Sequence, residues 1–159
     1  MTSRIDFAKL APGAFRGIMG VEMSVRQSGL EKTLIELVKL RASYLNGCAY
    51  CVDMHTKDAR AAGETEQRLY AVSVWRETPF YSARERAALL WTEVVTELGR
   101  EGVSDAVFDE VRACFSDVEL AHLTTAVIVI NVWNRLAISL GADVGSYQPG
   151  GADSSGAME

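Results

Sequence analysis

Apolar residues recur along the chain at intervals of three and four. No stretch sustains the period-two alternation with β-branched residues that a strand requires. The pattern therefore predicts helices throughout. Phe15, Ile18, Met19 and Met23 mark a first helix over 14–27. Gly17 and Gly20 within it would suit the close approach of another backbone. Leu34, Leu37, Val38 and Leu45 share one side of a helix over 31–45. A third, over 48–62, stops at Gly63. Residues 65–76 read as a short helix with Leu69, Val72 and Trp75 inward, and 77–81, holding Pro79, as a loop.

The later helices carry start signals. Ser82 with Glu85, and Ser116 with Glu119, are capping boxes. The first opens a helix to Leu98, with Ala87 or Ala88, Leu90 or Trp91, Val94, Val95 and Leu98 inward. The second opens the longest helix, to about Leu140, stopped by Gly141. Between them, Val107, Phe108 and Val111 give a short helix over 105–114. The last helix is apolar nearly all round from Ala126 to Val132, which predicts burial in a core or a subunit contact. The sum is an all-α domain of about six to seven helices, two antiparallel pairs around one core. It should occupy residues 1–146, followed by a flexible Gly/Ser/Pro-rich tail over 147–159.

Composition narrows the function. At 159 residues and 48% hydrophobic, the chain can bury a real core and is not of a disordered class. A net charge of -5 argues against nucleic acid or an anionic membrane as partner. Its apolar runs read as too broken to span a bilayer, and the start lacks an apolar leader. The expected compartment is cytoplasmic, where a Cys-x-x-Cys pair is more often catalytic or metal-binding than structural.

The chemistry gathers in residues 36–55, which hold Glu36, Cys48, Cys51 and His55. Asn46-Gly47 should break the chain between two helices, with Asn46 as an N-cap. At about 100° per residue, Cys48, Cys51 and His55 share one narrow face, and Cys51 and His55 are i, i+4 neighbours. A thiol of pKa about 8.5 is only about 3% ionised at pH 7, so half-ionisation takes a drop of about 1.5 units, or about 2 kcal/mol. A helix N-terminus supplies about 0.3–1 kcal/mol, and an adjacent imidazole, as base or imidazolium, can supply the rest. Glu36, on the preceding helix, can orient that imidazole. A zinc site of Cys48, Cys51 and His55 would need a fourth ligand, and Cys114 and His122 lie far along the chain. Haem attachment would need His where Val52 stands. Cys114 reads as a small buried hydrophobe and His122 as a core or interface residue. Asn131, Asn134 and Arg135 form one polar stripe, either a hydrogen-bond network or a lining of the site.

Glu36, twelve residues, Cys48-x-x-Cys51, three residues and His55, with Asn46 inside, resembles the alkylhydroperoxidase AhpD core of the carboxymuconolactone decarboxylase-like family. Ser82–Trp91 and the segment Ile130-Asn-Val-Trp-Asn-Arg135 are similar to that family's small single-domain members. Tyr50 departs from it, standing where the best-known AhpD proteins carry His. The resemblance implies a thiol-dependent peroxidase without a cofactor, a homo-oligomer (dimer-based, possibly hexameric), and an external dithiol reductant of thioredoxin-like or lipoyl type. A small hydroperoxide would oxidise one thiol to a sulfenic acid, and the other would condense with it. Cys51 is favoured for the attack as the i+4 neighbour of His55, with Cys48 the more exposed resolving thiol. The reverse order, as in thioredoxin-type pairs, stays open. A redox sensor whose dithiol switches assembly is the alternative, and lactone or decarboxylase chemistry a further one.

Overall fold

The computed structural model describes residues 3–150, and they are helical with turns between. In chain order the helices are α1 (Phe7–Leu10), α2 (Pro12–Arg26), α3 (Lys32–Asn46), α4 (Ala49–Ala61), α5 (Glu66–Ala71), a 3-10 helix (Val72–Glu77), α6 (Ala83–Thr96), α7 (Asp105–Arg112) and α8 (Asp117–Leu140). The short α1, which the apolar pattern does not signal, starts where the Asp6 side chain accepts from the Lys9 amide. Both capping boxes form: Ser82 and Glu85, like Ser116 and Glu119, satisfy each other's backbone N–H groups.

α3 is the central element and packs against α4, α6 and α8. One core cluster joins α3, α6 and α8 through Leu34, Val38, Trp91, Leu123 and Val127. A second joins α3 and α4 to the α5 region through Leu37, Leu40, Ala59, Leu69 and Trp75. α8 is long and apolar enough by length and composition to cross a membrane, which the sequence reading had excluded. Here it is the inner helix of the fold, packed against α2, α3, α4 and α6.

Several expectations need correcting. In α2 the buried residues are Glu22 and Val25, while Met23 is exposed. A Cβ at Gly17 or Gly20 would meet nothing within 4 Å, so neither marks a close approach. Leu98 lies beyond the end of α6 and is exposed. The helix over 65–76 breaks into α5 and the 3-10 turn, with a non-helical kink at Val74. Cys114 is only partly buried against the core. Tyr147, at the start of the expected tail, donates its hydroxyl to Asp58 on α4 at 2.6 Å, and Lys57 donates to the Tyr147 carbonyl at 3.0 Å. Residues 151–159 of that tail lie outside the described residues.

Two buried carboxylates escaped the pattern because it counts only apolar letters. Glu22 pairs with Lys39 of α3 and with Arg26. Glu93 accepts from the Trp75 indole at 2.7 Å and from Arg41 at 2.9 Å. Each ties its helix to α3.

Candidate active site

The site is built at the joint between α3 and α4. Asn46 closes α3, and Gly47 turns the chain at φ 68°, a left-handed conformation that glycine adopts without a Cβ clash. Cys48 is then the N-cap of α4. Its Sγ accepts from the Cys51 backbone N–H at 3.4 Å, and its own N–H donates to the Ser43 carbonyl at 2.9 Å. The cap is thus Cys48 and not Asn46. Asn46 turns its side chain toward α8 instead, where it donates to Asn131 and Asn134.

The two sulfurs are unlinked and lie 2.7 Å apart. Each cysteine is 1% exposed, so Cys48 is not the more accessible of the pair. Ile130, with Trp133 and Ala137 from α8 and Tyr50 from α4, packs around them. Cys48 ionises at about 7, chiefly because the Cys51 thiol donates to it, against the opposing effect of burial. Cys51 is pushed well up for the complementary reason, holding its proton against the Cys48 sulfur in a buried place. Geometry and charge therefore favour Cys48 as the thiolate, the reverse of the order preferred from i+4 spacing.

His55, one turn after Cys51, is buried, and its Nδ1 lies 2.8 Å from Glu36 Oε2. Burial works against the Glu36 charge, but the imidazole and Lys39 together hold the carboxyl below its usual range. A carboxylate at Nδ1 takes that ring N–H as donor and leaves Nε2 as the acceptor. Nε2 is buried and has no hydrogen-bond partner among the described residues. An unsatisfied buried acceptor costs about 1–3 kcal/mol, which makes it a natural place for an arriving proton. Asp58 completes a group with Glu36 and His55 whose ligand atoms lie within 4.8 Å of one another. Arg26 and Lys39 carry positive charge into the same neighbourhood, which opposes a cation there.

Three of the four expected site residues thus lie on α4 or its cap, and the fourth, Glu36, reaches His55 from α3; no hydrogen bond joins that pair to the sulfurs among the described residues. Sequence reasoning missed Ser43 and undervalued Asn134. Asn134 favours the ionised form of both thiols, and Ser43 that of Cys51. The Asn131/Asn134/Arg135 stripe was the signal: it forms a hydrogen-bond network, and of its three residues Asn134 bears on the thiols.

The titration of the pair gives stability a definite sign. Between about 7 and the unperturbed 9.0, the folded chain has lost the Cys48 proton that the unfolded chain keeps. Stability therefore rises with pH across that window. Above it, the unfolded chain also sheds the Cys51 proton that the folded chain retains, and stability falls. Urea unfolding should show this rise and fall as a difference between reduced and oxidised protein. A difference flat in pH would contradict the paired titration.

The comparisons place this geometry. Residues 12–94 match the model of the carboxymuconolactone decarboxylase family. An uncharacterised Bacillus subtilis protein, YdfG, is 40% identical over 141 residues, covering 89% of this chain and 96% of that one. A crystal structure from Agrobacterium tumefaciens, of unknown function and described as a candidate antioxidant defence protein AhpD, superposes with a TM-score of 0.87. It is 45% identical and covers 92% of this chain and 100% of that one. An uncharacterised peroxidase-related protein from Ralstonia eutropha, described as an alkylhydroperoxidase AhpD core, has a TM-score of 0.77. At 22% identity, covering 87% of this chain and 74% of that one, it shares the fold. With more than half of its length matched and a relative aligned nearly end to end, the chain belongs to the carboxymuconolactone decarboxylase family and has its AhpD-like helical fold.

Proposed function

We propose that the protein is a thiol-dependent peroxidase acting on small hydroperoxides, with Cys48 as the attacking sulfur. The observation that carries this reading is the Glu36–His55 bond. It leaves Nε2 of His55 buried and unpartnered on the helix that the cysteine pair opens. Nε2 is the acceptor assigned to the Cys48 proton; it bonds to neither sulfur in the resting site, so the transfer follows a movement of the ring or the thiol, and Glu36 stabilises the imidazolium. The thiolate attacks the terminal oxygen of R–O–OH and the O–O bond breaks. The alkoxide takes the proton from His55 and leaves as ROH, with Cys48 now a sulfenic acid. Cys51, still protonated and 2.7 Å away, displaces the hydroxyl; a disulfide forms and water leaves. An external dithiol, thioredoxin-like or lipoyl in type, returns the pair to thiols by exchange.

The candidate antioxidant role of the Agrobacterium relative supports this reading. The sulfurs are buried, with Tyr50, Trp133 and Ala137 packed against their cluster, so entry of a hydroperoxide requires local movement there. Exposed Ile128 and Ile138 on α8 offer a face for self-assembly.

The test is a thiol count before and after one equivalent of hydroperoxide, with peptide mapping. Two thiols should be lost and a Cys48–Cys51 link recovered, and a dithiol donor should then sustain turnover without a change of assembly. An unchanged thiol count would sink the proposal. A link that forms and alters assembly, with no turnover, would favour the sensor.

A further inference from the structure

One fully buried polar side chain beside the sulfurs has no part in the steps above. Asn134 on α8 is 0% exposed. Ile130, one turn before it, and Ala137, three residues after, belong to the cluster that encloses Cys48 and Cys51. Asn134 therefore sits on the stripe of α8 that faces the thiols.

Its amide has one acceptor and two donor hydrogens to place. The Oδ1 end is taken, since Asn46 Nδ2 donates to it at 2.8 Å. Asn46 is itself fixed, its two amide hydrogens shared between Asn134 and, at 3.0 Å each, Asn131 Oδ1 and the Ala42 carbonyl. Asn131 is held in turn. Its Nδ2 donates to Thr96 Oγ1 at 3.0 Å, and its Oδ1 accepts from Arg135 at 2.8 Å. The Asn131 and Asn134 oxygens both face the Asn46 NH2, so none of the three amides can flip without setting two oxygens or two NH2 groups face to face. The NH2 of Asn134 must point the other way, where one hydrogen goes to Ser43 Oγ at 3.1 Å and the second is left on the stripe of α8 that packs on the thiols. Ser43 donates its own proton to the Lys39 carbonyl at 2.7 Å, which turns its oxygen to Asn134 as an acceptor.

We propose that Asn134 holds the Cys48 thiolate by donating to it from α8, and that Asn46 is the positioning residue that keeps that amide turned toward the sulfur. A neutral donor suits this place better than a cation, because it stabilises the anion without adding a second buried charge. Its favourable effect on the ionised form of both thiols agrees. The inference rests on the reading of Cys48 as the reactive thiolate, but its test needs no hydroperoxide.

The experiment is a pH titration of thiolate absorbance on the reduced full chain, in a Cys114→Ser background so that only the site thiols report. The parent should ionise its first thiol at about 7. Asn134→Asp, which sets a carboxylate against the sulfur, should raise that midpoint by about one unit or more, a tenfold loss of thiolate. Asn134→Ser should raise it by less. An unmoved midpoint in either folded variant would overturn the proposal. Should both fail to fold, Asn46→Ala leaves Asn134 in place and frees its amide to turn. An upward shift then supports the role and an unmoved midpoint removes it. A protein with these shifts but no hydroperoxide turnover would defeat the peroxidase reading and leave the role of Asn134 standing.

Discussion

Replacing Cys48 by serine is expected to lower hydroperoxide turnover by about a thousandfold or more, because it removes the nucleophile itself. Cys51→Ser should behave differently. It keeps the thiolate position and loses the partner, so one equivalent of peroxide is consumed and the enzyme then stalls. The sulfenic acid formed should be trapped by a dione reagent on Cys48. The asymmetry follows from the geometry of the cap. Cys48 takes the Cys51 backbone N–H and is held low by the neighbouring Cys51 thiol, while burial and the Cys48 sulfur keep the proton on Cys51 against the opposing pull of Asn134 and Ser43. Equal first-turnover rates in the two variants, or a sulfenic acid found on Cys51, would return the order to the one that i+4 spacing suggested. His55→Ala should slow the first step by about a hundredfold and shift its pH profile upward, since the base would then come from solvent.

The parts legible in the sequence share a physical cause. Capping boxes at Ser82 and Ser116 are local chemistry, written in four residues each, and both form as read. The Glu36–His55 contact was accessible because two helices joined by a tight Asn-Gly turn must lie side by side. What escaped was long-range or polar. Nothing local in Glu22 or Glu93 marks it as buried; each is fixed by a cation from another helix. Asn46 looked like a cap because that is the local role of asparagine before a helix. Its partners on α8, more than eighty residues on, claimed the side chain, and Cys48 took the cap. The order of the thiols preferred from spacing differs from the one their electrostatics favour for a similar reason. Helical spacing gives which side chains are neighbours, but the acidity of a thiol depends on who donates to it, and that is set by the cap and by α8.

The second large effect concerns stability. Lys39→Ala should cost about 3–5 kcal/mol, since breaking a buried pair strands the remaining charge. For a chain of this size the melting temperature should fall by roughly 10 °C. The side chains of Lys39 and Glu22 are only 3% and 6% exposed and tie α3 to α2. Burial pushes the Glu22 carboxyl up, and Lys39, with help from Arg26, more than reverses it. Without Lys39, Glu22 keeps only Arg26, whose side chain is 64% exposed and screened by water, and its Oε2 is already unpartnered. The sign in pH follows. A carboxyl held low in the folded state stabilises above its ordinary range and loses that contribution as pH falls through its folded value. In Lys39→Ala the Glu22 carboxyl rises, so it protonates at higher pH and its share of stability disappears sooner on acidification. Thermal unfolding of parent and variant from neutral to acid pH reads both effects, and a loss under about 1 kcal/mol would show that the pair is structurally dispensable. Glu22→Gln in the same chain should recover part of the loss by removing the stranded charge. The pair also bears on the chemistry. Lys39 helps hold the Glu36 carboxyl low, and its carbonyl accepts the Ser43 hydroxyl beside the thiols. The interaction that fixes α3 against α2 therefore also sets the charge and position of the groups on which the sulfur pair depends.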